Sequence, residues 1–117
     1  MHFKGMSFHV NLTESAVRDV VGILTWLNER SNSGADAWFQ KWLEALRILE
    51  DRGGDLAVAP ESPARDEIIR QVLFRTKHGR TYRALYCVRA DEIFVLHVRG
   101  PGQQLIKPGD LVLPTDE

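Results

Sequence analysis

The stretch Arg70-Gln-Val-Leu-Phe-Arg-Thr-Lys-His-Gly-Arg-Thr-Tyr-Arg-Ala-Leu-Tyr-Cys-Val-Arg-Ala-Asp-Glu-Ile-Phe-Val-Leu-His-Val-Arg99 decides the fold. It holds three strand-like runs, at about 68–75, 81–89 and 92–99, with Lys77-His-Gly-Arg80 and Arg89-Ala-Asp-Glu92 as the turns between them. In the second run Tyr82, Ala84, Tyr86 and Val88 occupy alternate positions, and in the third Phe94, Leu96 and Val98 do so. These are the more apolar sets, so they are expected on the face that other elements cover. Strand side chains repeat every two residues, so the register must keep both sets on one side. A hairpin that does so carries Arg83, Cys87, Arg89, His97 and Arg99 on the other side, with Arg83 across from His97 or Arg99. The first run is apolar on both faces, as a central strand would be.

Working outward, residues 6–12 alternate as a further strand, with Phe8, Val10 and Leu12 on one face. Thr13 follows as a helix N-cap, and Leu12 and Val17 stand at the positions of a hydrophobic staple. The helix runs to about residue 30 with a stripe of Ala16, Val17, Val20, Val21, Leu24 and Leu27. After Ser31-Asn-Ser-Gly34, Ser33 is expected to cap a second helix, with Asp36 in the reciprocal place. Its stripe is Ala35, Phe39, Trp42, Leu46 and Leu49, widened by Trp38, Leu43 and Ala45, and Gly53-Gly54 is expected to end it in a left-handed cap. Trp26, Trp38, Phe39 and Trp42 read as core, the alternatives being a base-stacking platform or a partner groove. Residues 55–67, with Pro60 and Pro63, are a loop. From Gly100-Pro-Gly102 onward the pattern stops, and Leu105-Ile106 and Leu111-Val-Leu113 either pack along the domain edge or await a partner.

The 117 residues are 44% hydrophobic and 26% charged, enough for one core in one soluble domain. No apolar run approaches the ~20 residues of a membrane span, and the N-terminus is too interrupted for a secretory signal, so the expected compartment is the cytoplasm. The single cysteine, Cys87, excludes an internal disulfide and a cysteine zinc cluster, and reads as a partly buried small side chain. No metal or cofactor is expected. The net charge of −1 argues against indiscriminate coating of nucleic acid. Its distribution is uneven: residues 1–64 carry six Lys/Arg against nine Asp/Glu, residues 65–99 eight against four, and the remainder one against three. Any contact with phosphate therefore belongs to the strand region.

The order strand, two helices, three antiparallel strands resembles the RelE/ParE superfamily of toxin–antitoxin toxins. The residues that carry the likeness are Leu12-Thr-Glu-Ser-Ala16 into Asp19, Pro60-Glu61, Ile69-Arg-Gln-Val72, Tyr82-Arg-Ala-Leu-Tyr86 and Val95-Leu-His-Val-Arg99, spanning about residues 6–106. The resemblance implies an α+β fold in which an N-terminal strand and a three-stranded meander form one sheet with a helix hairpin on one face, the opposite face carrying function. It implies a domain at 1–104 and a tail at 105–117. It also implies a growth-inhibiting toxin, acting on DNA gyrase or on translation and neutralised by a cognate antitoxin.

In the nuclease branch the mechanism would be 2′-hydroxyl attack on mRNA at the ribosome, which needs an acid, a base and cations. By position Arg83 then resembles the arginine at the scissile phosphate, Arg99 the later strand-end arginine, and His97 a proton carrier, with Arg75, Lys77 and Arg80 contacting nucleic acid or target. The chain departs from that branch. It lacks a C-terminal tyrosine, Gln103-Gln-Leu-Ile106 standing there instead, and Ala64-Arg-Asp-Glu67 replaces a lysine-rich segment. Those departures favour ParE-like members, which resemble gyrase inhibitors without a nuclease site. A non-toxic interaction module on the same fold is a third possibility. Arg83 has an ordinary alternative, stacking on Tyr82 or pairing with an acidic residue; Arg70 is expected to bridge to an acidic residue of the hairpin or loop, and the alternative for His97 and Arg99 is that of plain surface groups.

Overall fold

A computed structural model describes residues 7–62 and 67–114. Strand β1 (His9–Leu12) leads into helix α1 (Glu14–Asn28), which is followed by α2 (Asn32–Arg52), β2 (Arg70–Phe74), β3 (Tyr82–Arg89) and β4 (Glu92–Arg99). The four strands form one sheet in the order β1-β4-β3-β2, antiparallel except that β1 runs parallel to β4. The expected α+β architecture is thus present. Met6, the expected start of the first strand, and residues 63–66 of the loop lie outside the described residues.

Thr13 caps α1 as expected, its hydroxyl accepting from the Ala16 amide at 3.3 Å while donating to the Val95 carbonyl at 2.8 Å. One side chain therefore starts the helix and ties it to β4. The cap of α2 is Ser31, not Ser33: the Ser31 oxygen accepts from the Gly34 amide at 3.0 Å. Ser33 already lies within the first turn and only meets the Ser31 hydroxyl. At the other end Gly53 is right-handed (φ −56°), so a left-handed cap is not its role. Its role is close approach: a Cβ there would stand 2.1 Å from Ile93 Cδ1, and the Tyr86 hydroxyl donates to the Gly53 carbonyl at 2.6 Å.

Ala16, Val20, Trp38, Trp42, Ala45 and Leu49 pack on Val72, Phe74, Ala84, Tyr86, Ile93, Val95 and Val98. Trp38 joins Trp42, Phe74 and Tyr82 in a cluster with ring centroids 5.4–6.2 Å apart. The core reading holds for Trp38 and Trp42. It fails for Trp26 (52% exposed), Val17 and Val21 because the buried arc of α1 centres on Ala16 and Val20, and for Phe39 (37%) because that of α2 runs through Ala35, Trp38, Trp42, Ala45 and Leu49.

The sheet departs from simple alternation at one place. Leu85 pairs with His97 but Tyr86 pairs with Val95, so Leu96 is an extra residue on β4. This bulge puts Ile93, Val95 and Val98 under the helices and turns Phe94 and Leu96, expected there, to the far face. That far face is not open. Leu85, Cys87 and Leu96 meet Ala59 and Ile69 from the loop and Ile106 and Leu111 from the residues after β4. Strand β2, read as central, is an edge; its double-sided apolarity arises because residues 57–59 pair along its outer side and this second cluster covers Ile69.

Candidate functional site

Arg83 and Arg99 are register partners on the far face, as the hairpin geometry required. Arg83 is not free. Its two terminal nitrogens donate to Glu61 Oε1 at 2.8 Å and Oε2 at 2.6 Å, and one also reaches Gln71 Oε1 at 3.2 Å. The Glu61 side chain is 1% exposed, and its Oε2 also accepts the Ile106 amide at 3.1 Å. Burial, the largest influence on that carboxyl, favours its neutral form. The Arg83 hydrogen bonds, the Ile106 amide and the Arg83 charge together outweigh burial and hold its pKa below the ordinary value. Of the alternatives for Arg83, the ion pair is the one realised, and Glu61 fastens the loop, β3 and the chain after β4 in a single contact.

Arg99 donates to the Gln104 carbonyl at 2.7 Å, while its buried Nε has no acceptor among the described residues. His97 does not join the two arginines. Beyond Leu12 the outer edge of β4 has no strand beside it, and α1 takes over there. Asp19 Oδ2 accepts the Val98 amide at 2.9 Å and lies 2.8 Å from His97 Nδ1. A carboxylate only accepts, which places the proton of the neutral ring on Nδ1. His97 is therefore drawn to α1 and acts as part of a latch. Arg70, expected to meet an acidic side chain, instead donates to the Leu56 carbonyl at 2.5 Å.

Arg89 and Glu67 form a second forked pair, at 3.0 and 2.8 Å. The Arg89 hydrogen bonds outweigh burial and keep the Glu67 carboxyl low. Cys87, fully buried, has its thiol pushed up to about 12 by burial first and by the Glu67 charge next, so it is no nucleophile.

Arg75, Lys77 and Arg80 are exposed at the β2–β3 turn and hold no side-chain partner among the described residues. Thr76, Gly79 and Arg80 of that turn form one wall of a groove of about 910 Å³ on the helix side. Arg18, Gly22 and Trp26 of α1 also line it, with Ile23, Trp38 and Tyr82. The sequence reading gave Glu61 and Asp19 no role beyond carrying the resemblance, and raised a partner groove only as an alternative for the aromatic residues of the helices. The signal for Glu61 was present, since Arg83 called for an acidic partner and the loop offered one. Among the described residues no group of three or more His, Cys, Asp or Glu is placed to hold a metal, and no helix is long and apolar enough to cross a membrane.

Compared with known structures, the fold matches a chain of the chromosomal ParDE toxin–antitoxin (TA) system from P. aeruginosa. The TM-score is 0.60 at 19% identity, covering 80% of this chain and 95% of that one. The fold is RelE/ParE-like. No family model and no curated protein matches the sequence.

Proposed function

We propose that this chain is the toxin of a type II toxin–antitoxin module and that it arrests growth by binding its target, DNA gyrase, without cutting RNA. The likeness to a ParDE chain supports the toxin half of that reading. The observation that carries the other half is the state of Arg83, the residue the resemblance puts at a scissile phosphate. Its guanidinium is already committed in a fork to a carboxylate that is 1% exposed. A phosphate would have to displace Glu61 and leave it buried and unpaired, which costs several kcal/mol. His97, the proton carrier of the same scheme, is held by Asp19 on α1. The groups needed for 2′-hydroxyl attack are thus occupied or apart.

The test is induction of the chain with and without the adjacent reading frame, followed by two assays on purified protein. Growth arrest relieved by the neighbour, inhibition of gyrase supercoiling, and intact mRNA on translating ribosomes are expected. Harmless overexpression overturns the toxin reading. Ribosome-dependent mRNA cleavage that disappears in Arg83→Ala overturns the non-nucleolytic one.

A further inference from the structure

The helix hairpin carries an apolar seam beside its buried face. Asp36, Phe39 and Leu43 each follow a buried residue, Ala35, Trp38 and Trp42, so they stand about 100° round α2 from its buried arc. Arg47 continues that stripe by one further turn. On α1, Val17, Val21 and Leu24 stand in the same relation to Ala16, Val20 and Ile23.

In an antiparallel hairpin, residues equidistant from the turn are neighbours, and the turn between Asn28 and Asn32 centres on Arg30. Val21 and Phe39 are each nine residues from it, and Val17 and Leu43 each thirteen. Val17 is 45% exposed and Val21 57%, with Phe39 at 37%, so the seam presents contiguous apolar surface to water.

Two charges bracket the seam. Asp36 and Arg47 are eleven residues apart, three helical turns or about 16 Å, and thus share one face of α2. Both are exposed, and neither has a partner among the described residues. Lys41 and Glu44, off this stripe on the same helix, pair with each other at 3.3 Å.

The arrangement is complementary to itself. The midpoint of Asp36 and Arg47 falls between Lys41 and Trp42, and the midpoint of Val17 and Val21 is Asp19. Asp19 and Lys41 each lie eleven residues from Arg30, so both midpoints are at one level of the hairpin. A two-fold axis at that level, perpendicular to the helices, lays α2 antiparallel on a second α2 and α1 on a second α1. It sets Asp36 of each copy against Arg47 of the other, and Val17 against Val21. Packed helix axes are about 8–10 Å apart, within reach of an Asp–Arg pair.

We infer that this seam is an isologous interface through which two copies of the chain associate. Self-complementarity is what a two-fold dimer requires of a surface. A partner offering charge of one sign would leave Asp36 or Arg47 unmatched, and would need no symmetry between the charges and the valines. The dimer goes beyond the toxin reading and does not depend on it.

Sedimentation equilibrium of the full chain, made by cell-free synthesis, measures the association. The weight-average mass is expected to rise from one chain towards two between roughly 1 and 100 μM. Asp36→Arg and Arg47→Asp each turn both cross-copy contacts into repulsions, and each should weaken the dimer about tenfold or more. An equimolar mixture of these two variants is the discriminating sample. In a mixed dimer the new cation at position 36 meets the new carboxylate at position 47, and the unchanged Arg47 meets the unchanged Asp36. The mixture is expected to associate within about threefold of the parent. Val21→Glu should abolish association, and each variant, diluted to monomer, should melt within about 3 °C of the parent because the changed positions are exposed.

A chain still monomeric at about 100 μM overturns the proposal. So does either single charge variant associating at parental strength, or a mixture no tighter than its components. A chain that is monomeric alone, yet binds the protein of the adjacent reading frame in a complex that Val21→Glu abolishes, assigns the seam to that protein and overturns it equally. Growth arrest by a monomeric chain refutes the dimer alone; a harmless dimer refutes the toxin reading alone.

Discussion

Replacing Arg83 by alanine separates a structural role from a chemical one, because the two predict different magnitudes. The Glu61 carboxylate accepts two hydrogen bonds from Arg83 and one from the Ile106 amide, with 1% of its side chain exposed. After Arg83→Ala only the amide remains. Breaking a buried pair by removing one partner costs about 3–5 kcal/mol, and the lower end applies because Arg83 itself keeps 17% exposure. At a urea slope of about 1.5 kcal/mol/M, a loss of about 3 kcal/mol lowers the midpoint by roughly 2 M.

The pH dependence gives a second signature. In the native protein the Glu61 pKa lies below 4.5, so its stabilisation is present above that pH and fades as the carboxyl protonates below it. In Arg83→Ala burial remains while the opposing cation is gone, so the pKa rises from its native position and protonation costs the variant less. The gap between variant and parent must then narrow as pH falls from 7 towards 4. The double variant Arg83→Met, Glu61→Leu, with no buried charge left, is expected to lie within about 1 kcal/mol of the parent. Urea titrations at pH 7 and pH 4.5 measure all three. A pH 7 midpoint for Arg83→Ala within about 0.3 M of the parent would refute the structural account and return Arg83 to the surface as a free cation.

Tyr86→Phe deletes the hydroxyl that donates to the buried Gly53 carbonyl at 2.6 Å and should cost about 1–2 kcal/mol in chemical denaturation. Burial pushes that hydroxyl up to about 12, whereas the unfolded chain ionises it near 10, so the parent should lose stability across that interval more steeply than Tyr86→Phe does in melts at rising pH. Ser31→Ala should cost about 1 kcal/mol and Ser33→Ala a few tenths, a difference thermal melts resolve; equal losses would mean the cap of α2 is misplaced. Alkylation of Cys87 by iodoacetamide at pH 8 should follow global unfolding, its rate rising with urea as the unfolded fraction does, because the thiol is buried and its pKa is pushed up to about 12. Rapid labelling in the absence of urea would contradict that.

The elements themselves were legible because each rests on local chemistry. Thr13 needs only its own hydroxyl and the next three residues to start α1, and the apolar alternation of β3 needs only its own pleat. Apart from the cap of α2, the errors lie where the deciding neighbour is distant in sequence. Ser31 and Ser33 are equally good caps by composition, and the first turn is settled by which oxygen reaches the Gly34 amide. Val17 and Val21 fit an apolar stripe, but the stripe is wider than the arc the sheet can cover, so they remain outside. The pairing of Arg83 was foreseeable as a class of contact; that Glu61 supplies it depends on the loop folding back across β3.

The β4 bulge is where these strands of reasoning meet. No composition rule marks Leu96 as the extra residue, since Ile93 to Val98 alternates acceptably in either phase except at His97. Once Leu96 is inserted, Phe94 and Leu96 turn to the far face and join Leu85 and Cys87 in an apolar patch that water would penalise. Ile106 and Leu111 cover that patch, and Ile106 brings its amide to Glu61, which in turn fixes Arg83. A one-residue irregularity therefore converts a face suited to phosphate into a second core. Deleting Leu96 should restore unbroken pairing between β3 and β4, take an apolar side chain out of the far face, loosen the cover of Ile106 and Leu111 and free Arg83. A Leu96 deletion that still melts at the parent temperature, with Glu61 and Arg83 still paired, would break this chain of causes at its first link.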